Sequence, residues 1–224
     1  MEDMVLSAAQ KSLRVNLDSN IYGSFAEVGA GQETVRQFFR AGGASGTIAK
    51  AMSAYDKDFS DAIYGLEDDG RYVTESRLRK MIHHEYSLLE DRLHREKYPN
   101  KRYFAFANTV ATINFTKTFK GHGWLGIRYQ TSADKSPNEV ILHVRLHEND
   151  PKHQQETIGN IGVNLIYGAN FLYKEPKELL HSLYDGSDRT AIELDLINFS
   201  GPDFIDVDNR LMSLQLIKNG FTDA

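Results

Sequence analysis

The chain has 224 residues, of which 41% are hydrophobic and 25% charged, and its formal net charge is -5 at pH 7. This composition is typical of a globular protein with a sizeable core. The acidic balance argues against general nucleic-acid binding, which normally requires a basic surface. Because the chain contains no cysteine, disulfides, thiolate nucleophiles and cysteine-ligated metal sites are excluded.

The N-terminal sequence MEDMVLSAAQKSL lacks the basic start and apolar core of a secretory signal. No uninterrupted apolar run reaches the length needed to cross a bilayer. We therefore expect no membrane partner and a cytoplasmic location. A short amphipathic helix is predicted for residues 4 to 14.

Residues 21 to 43, IYGSFAEVGAGQETVRQFFRAGG, predict a strand, a glycine turn and a helix that ends at Gly42 and Gly43. Gly29 and Gly31 permit tight backbone geometry and close approach of a ligand. The free N–H groups at the start of the helix attract anions. The turn is therefore either a binding site for a phosphate, carboxylate or ribose, or an ordinary structural connection.

Residues 47 to 52 predict a second extended segment, and Asp56, Asp58 and Asp61 follow it. The spacing of these carboxylates does not match a calcium loop, so a solvated loop or a helix N-terminus is expected. A long helix is predicted for residues 74 to 97, with Thr74 as its N-cap and one apolar stripe. A strand from Arg102 to Ala107 follows.

Residues 122 to 148 predict an antiparallel hairpin, because two alternating segments flank the turn-rich sequence ADKSPN. One face of the hairpin is apolar. The opposite face carries Trp124, Arg128 and Gln130 on the first strand and His143, Arg145 and His147 on the second. This face is either a solvated outer surface or an anion-binding surface. No third metal ligand accompanies the two histidines, so no metal site is predicted.

The remaining chain predicts helices at 151–172 and from 175 through Leu183, a strand at 190–199, and a last helix at 209–219. Strands and helices alternate around one hairpin. The fold class is therefore α/β or α+β, with a mixed sheet and helices packed on it. No linker or repeat divides residues 1–224, so we expect a single domain. The ending GFTDA resembles the approach to another strand, which suggests the N-terminal part of a longer polypeptide.

The sequence resembles the N-terminal half of an uncharacterised bacterial protein family. The similarity runs through GSFAEVGAGQE, AGGASGTIAKAMSAYD, HGWLGIR, GVNLIYGANF and DNRLMSLQL. Members are often labelled nicotinate-nucleotide adenylyltransferase and are sometimes mislabelled TonB-dependent receptor. Adenylyltransferases carry Gly-Ser-Phe followed by His-x-Gly-His, and Gly23, Ser24 and Phe25 match the first part. Gly29 and Gln32 replace both histidines and only Gly31 is retained, so the resemblance implies nucleotide binding and makes adenylyl transfer doubtful.

A second resemblance involves Glu27-Val28-Gly29-Ala30-Gly31, which is similar to the first motif of S-adenosylmethionine-dependent methyltransferases. In those enzymes an acidic residue after the next strand holds the ribose, and Asp56 lies at a comparable distance. Glu33 replaces the third glycine.

Three functional hypotheses remain open at this point. The first is a nucleotide- or phosphate-binding protein, enzymatic or regulatory, with a nucleotide as its expected ligand. In it the turn Gly23, Ser24, Glu27, Gly29, Gly31 and Gln32 forms the site, Glu27 or Asp56 contacts a ribose, and Arg128, His143, Arg145 and His147 contact phosphates. The second is a non-catalytic assembly module, either a homo-oligomer or one half of a longer protein. The third is a methyltransferase.

Overall fold

A computed structural model describes residues 5–93 and 95–223. Six strands form one sheet in the described part of the chain: β1 (Ile21–Gly29), β2 (Ile48–Ala54), β3 (Arg102–Ala111), β4 (Gly121–Tyr129), β5 (Asn138–Leu146) and β6 (Ile192–Ser200). The helices are α1 (Ala8–Leu17), α2 (Thr34–Ala41), α3 (Lys57–Tyr64), α4 (Glu75–Arg92), α5 (Pro151–Phe171), α6 (Pro176–Ser182) and α7 (Asn209–Lys218).

The strands are ordered β2-β1-β3-β4-β5-β6. β1 pairs in parallel with both β2 and β3, whereas β3, β4, β5 and β6 pair antiparallel. The predicted mixed sheet with an antiparallel hairpin is therefore confirmed, and the hairpin consists of β4 and β5. The order of the elements places the β1–α2 turn at the parallel half and the polar hairpin face at the antiparallel half.

One face of the sheet carries the larger core, which is formed with α1, α2, α5, α6 and α7. α5 is the central helix of this core, and most of its residues are buried. Its glycines allow close packing on α2: a Cβ at Gly162 would lie 2.3 Å from Thr34 Oγ1, and one at Gly159 would lie 2.8 Å from Glu33 Cβ.

The opposite face is covered in part by α3 and α4. The stripe predicted for the long helix packs here, with Leu78, Met81 and Ile82 fully buried against small residues of β1 and β3. α4 lies over β1, β3 and β4. Further along the sheet, toward β6, the side chains on this face are half-buried or exposed, as at His143 and Arg145.

Element ends differ from the predictions by a few residues. The first helix spans Ala8–Leu17 and begins at the N-cap Ser7, and the predicted Met4 lies outside the described residues. The long helix ends at Arg92, five residues before its predicted end. Beyond α7, Phe221 packs against Tyr184 with ring centroids 3.9 Å apart. Within the described ranges, no helix is both long enough and apolar enough for a bilayer span.

Candidate functional site

The N-terminus of α2 is occupied by a side chain of the protein itself. Glu27 is 2% exposed, and its Oε1 accepts a hydrogen bond from the Thr34 backbone N–H at 3.0 Å. Asn108 Nδ2 donates to the same oxygen at 3.3 Å and to the Gly31 carbonyl at 2.8 Å. An anion is favoured at this end of a helix, and the Glu27 carboxyl group fills that position.

Burial raises the pKa of Glu27 from its ordinary value of 4.5 to about 7. Hydrogen bonds from Thr34, Val35 and Asn108 favour the carboxylate and offset part of this effect. Glu27 is consequently divided between its protonated and ionised forms at neutral pH. The N–H groups of the helix end that Glu27 caps therefore act against burial in setting its pKa.

The glycines of the turn are required by packing on β3. Gly29 has φ +73, and a Cβ there would lie 2.3 Å from the Val110 carbonyl oxygen. A Cβ at Gly31 would lie 1.9 Å from Asn108 Oδ1. Gln32 donates from Nε2 to the Gly29 carbonyl at 3.1 Å. Atoms of β3 therefore occupy the space that side chains at Gly29 and Gly31 would otherwise fill.

The other turn residues are dispersed. A Cβ at Gly23 would meet the Phe104 ring and carbonyl at 2.3 Å, so this glycine also serves packing. Ser24 points to the opposite face of the sheet, where it lines a pocket under α4. Asp56 caps α3, and its Oδ1 accepts from the Phe59 backbone N–H at 2.9 Å. The structure therefore separates Asp56 and Ser24 from the buried carboxyl of the turn.

The polar hairpin face does converge into a cleft. We call it the imidazole cleft; it has a volume of about 450 Å³ and is lined chiefly by Lys120, His122, His143, Arg145, His147 and Glu193. It contains three of the residues predicted from the sequence. His143 and Arg145 lie on β5, and His147 follows the end of that strand. These residues lie on one face because side chains two positions apart share a face of a strand.

Inside the cleft, two imidazoles and a carboxylate form a chain. His122 Nδ1 lies 3.2 Å from His143 Nε2, and His143 Nδ1 lies 2.6 Å from Asp195 Oδ1. Arg145 Nε donates to Asp195 Oδ2 at 2.8 Å. The Trp124 ring packs on His143 with centroids 4.7 Å apart. The carboxylate therefore orients one imidazole, which in turn contacts the second.

The titration properties of this chain follow from burial and charge. Burial lowers the pKa of His122, and the neighbouring His143 adds to the effect, so His122 is neutral at pH 7. Burial opposes ionisation of Asp195, but hydrogen bonds and charges from His143 and Arg145 outweigh it and lower the pKa of Asp195. In the tautomer in which a neutral His143 donates from Nδ1 to Asp195, His143 Nε2 accepts a hydrogen bond from His122 Nδ1. His122 Nε2 then retains a lone pair that can accept a proton.

A β-bulge positions Asp195. Val144 is opposite Leu194 and His143 is opposite Leu196, so Asp195 is the extra residue in β6. Bulges of this kind redirect a side chain, and here the carboxylate is directed at His143. The sequence IELDLINFS contains the signal, because its alternation breaks at Leu196-Ile197. The sequence prediction treated this segment as a regular strand and missed Asp195.

Arg128 does not belong to the imidazole cleft. It lies six residues from His122 along β4, which corresponds to about 20 Å. Arg128 pairs with Glu139, whose oxygens also lie 2.6 Å from His83 Nε2 and 3.1 Å from Arg79 Nη1. The four residues predicted to contact phosphates are thus divided between two places, and three of them share the cleft.

The cleft also contains residues that the sequence prediction omitted. His122 lies at the start of β4, and Lys120 directly precedes that strand. Glu193 Oε2 lies 3.4 Å from His147 Nε2. The segment HGWLGIRYQ contains a signal for His122, because His122 lies two positions before Trp124 and so shares its face of the strand. Among residues 5–93 and 95–223, no group of three or more His, Asp or Glu side chains is arranged to hold a metal ion.

No known protein-family model matches this sequence, and no curated protein matches it. Solved structures do share its fold. The competence or damage-inducible protein from Enterobacter asburiae has a TM-score of 0.51 at 10% identity, over 73% of this chain and 98% of that one. The competence-damaged protein (CinA) superfamily protein from Enterobacter cloacae has a TM-score of 0.50 at 10% identity, over 75% and 94%.

A third structure gives the same result. Competence damage-inducible protein A (ComA) from Klebsiella pneumoniae subsp. pneumoniae MGH 78578 has a TM-score of 0.50 at 9% identity, over 72% of this chain and 96% of that one. At these identities the likeness concerns the fold alone. The comparisons lend no support to the adenylyltransferase resemblance. The chain is a mixed α/β protein whose fold is similar to that of the competence- and damage-inducible proteins.

Proposed function

We propose that this protein binds a phosphate-bearing, nucleotide-type small molecule in the imidazole cleft. The observation that carries the proposal is the set of cationic donors beside the Asp195–His143–His122 chain. Arg145 donates a hydrogen bond from Nε to Asp195, and its two terminal nitrogens have no partner among the described residues. Arginine presents such nitrogens as a planar fork that matches phosphate oxygens.

Two further features support a nucleotide-type ligand. Lys120 is exposed at the rim of the cleft and can contact a second phosphate oxygen. Phe119 is 42% exposed, its ring centroid lies 5.9 Å from that of His122, and Trp124 flanks His143. Aromatic rings of this kind can stack on a nucleobase. A cytoplasmic location, where nucleotides are abundant, is part of the proposal.

His122 gives the site a chemical capability beyond binding. Its neutral Nε2 can accept a proton from a hydroxyl or water, and the resulting charge is shared through His143 with ionised Asp195. This is the arrangement of a general base. The proposal therefore includes proton exchange between His122 and the ligand, and adenylyl or methyl transfer is not needed to explain the cleft.

Calorimetric titration of the full chain with ATP, NAD, nicotinate mononucleotide and pyrophosphate tests the proposal. Arg145→Met should weaken binding about tenfold to a hundredfold, because hydrogen bonds to charged groups contribute about 1.5–3 kcal/mol. The matched control is Arg36→Met, since Arg36 is also exposed but lies on α2. Absence of binding by all four ligands, or equal loss in both variants, would contradict the proposal.

S-adenosylmethionine in the same titration tests the methyltransferase hypothesis. That cofactor would have to bind at the turn between β1 and α2. Its binding should therefore survive Arg145→Met. Such a result would favour the turn over the imidazole cleft.

One observation favours the assembly hypothesis as a second candidate function. α7 exposes Leu211, Leu214 and Ile217 at 61%, 60% and 43%. Their spacing places them on one side of the helix, where a second copy of the chain or a further segment of a longer polypeptide could cover them. Light scattering should report a dimer that Leu214→Glu dissociates. A monomer at all concentrations would exclude the homo-oligomer.

A further inference from the structure

A second pocket, which we call the strand–helix pocket, lies between the parallel edge of the sheet and α4. It has a volume of about 490 Å³ and includes Tyr22, Ser24, Lys50, Glu85, Leu89 and Arg92 in its lining. Ser24 of β1 and Lys50 of β2 are register partners, so their side chains lie next to each other beneath α4. This pocket lies at the opposite edge of the sheet from the imidazole cleft.

The floor of the pocket holds a hydroxyl without a partner. Ser24 is 1% exposed, and its Oγ makes no hydrogen bond to any described residue. Buried polar groups are normally satisfied, so such an atom in a pocket indicates a missing partner. The neighbouring Glu85, also 1% exposed, is held by the Tyr64 hydroxyl at 3.0 Å and by Lys50 Nζ at 2.5 Å.

The walls and the mouth have different chemistry. Apolar surface comes from Leu88 and Leu89 of α4, from Leu93 just beyond it, and from Tyr22 of β1. Lys50 is 43% exposed and Arg92 is also exposed, so both lining residues present their charge at the solvent side of the pocket. Lys50 Nζ carries three donor hydrogens, and its ion pair with Glu85 does not engage all of them, so others remain for a ligand.

The charges of the lining select the kind of anion. Lys50 and Arg92 are positive and Glu85 is negative, which leaves one excess positive charge. A carboxylate has one negative charge and matches this excess, whereas a phosphate monoester carries more. The apolar walls require an equally apolar ligand body.

We infer that the strand–helix pocket binds a small amphipathic carboxylic acid. Its carboxylate contacts Lys50 and Arg92, and its aryl or alkyl body lies between Tyr22 and Leu89. A hydroxyl or amide at the inner end of the ligand hydrogen-bonds to Ser24. The inference is independent of the proposed function, because none of these residues lies in the imidazole cleft.

Calorimetry on the full chain with 4-hydroxybenzoate, benzoate, hexanoate and the neutral 4-hydroxybenzamide tests the inference. The acid should bind about tenfold more tightly than its neutral amide, because a charged pair is lost. Arg92→Gln should remove that difference. Ser24→Ala should weaken 4-hydroxybenzoate about threefold to tenfold and leave benzoate unchanged, since benzoate has no inner hydroxyl.

The matched control is Ser12→Ala. Ser12 is 0% exposed and its Oγ also lacks a partner among the described residues, but it lies on α1 outside the pocket. Both alanine variants should fold, because each removes an unpaired hydroxyl. The inference is overturned if no acid binds at millimolar concentration, if acid and amide bind equally, or if Ser24→Ala and Ser12→Ala affect 4-hydroxybenzoate equally.

Discussion

Glu27 offers a direct test of how the β1–α2 turn is stabilised. Replacing it with Gln preserves the length of the side chain and an oxygen that can accept from the Thr34 N–H. The substitution removes only the ability to ionise. Because burial raises the pKa of Glu27 to about 7, the folded protein binds this proton more tightly than the unfolded chain does. The wild-type protein should therefore lose stability as the pH rises from 4.5 to 7, and Glu27→Gln should not.

The size of the effect follows from the two pKa values. A change in pKa from 4.5 to about 7 corresponds to about 3 kcal/mol, since a tenfold change in a proton-binding constant is about 1.4 kcal/mol. Below pH 4.5 the two proteins should be equally stable. Above pH 7 Glu27→Gln should be more stable by up to about 3 kcal/mol, which is roughly 6 to 12 °C in Tm for a chain of this size.

Urea unfolding followed by circular dichroism between pH 4.5 and 8.5 measures this difference. Glu33→Gln is the control, because Glu33 stands at the same helix end but is partly exposed and pairs with exposed Arg36. Its effect should stay within about 0.5 kcal/mol at every pH. A Glu27→Gln protein that is less stable than wild type at pH 8, or a difference that does not depend on pH, would refute the reasoning.

Three further predictions concern packing and charge. Gly162→Ala should lower the free energy of unfolding by about 1–2 kcal/mol, because the cost of overpacking exceeds the gain in helix propensity. Gly46→Ala should leave the free energy of unfolding in urea almost unchanged, because a Cβ there would have nothing within 4 Å. Arg77 is fully buried and paired with carboxylates, so Arg77→Met should cost about 3–5 kcal/mol. Arg71→Met, at an 81% exposed site, should cost almost nothing, and equal losses in both arginine variants would contradict this expectation. The pKa of His122 should fall below 6.5 in an NMR titration, and a midpoint at or above that value would contradict the buried imidazole chain.

The fold was largely predictable because its signals are local. Thr74 caps α4 and Asp150 caps α5, and in both cases the cap and the following apolar spacing were visible in the sequence. The alternation of β4 and β5 also fixed which side chains face outward. The order of the strands in the sheet was harder to predict from the sequence, because the parallel placement of β1 between β2 and β3 depends on contacts distant in sequence.

The candidate sites were predictable only in part. His143 and Arg145 share a face because of strand periodicity, so their proximity followed from the sequence. Asp195 could not be assigned to them, since it lies 52 residues from His143 and is directed there by a bulge. Ser24 belongs to the Gly23-Ser24-Phe25 motif, but its neighbours in the pocket, Lys50 and Glu85, come from β2 and α4, whose packing on β1 depends on contacts distant in sequence.

The position of Glu27 also distinguishes the two places where a nucleotide was expected. A phosphate at the β1–α2 turn would compete with the Glu27 carboxyl for the Thr34 N–H, and ionised Glu27 would repel it. Glu27→Gln removes this repulsion, so it should strengthen binding if the ligand occupies the turn. If the ligand occupies the imidazole cleft, its affinity should be unchanged by Glu27→Gln and reduced by Arg145→Met. Titration of the same nucleotide into both variants at pH 8 therefore assigns the site, because each location predicts an effect in a different variant.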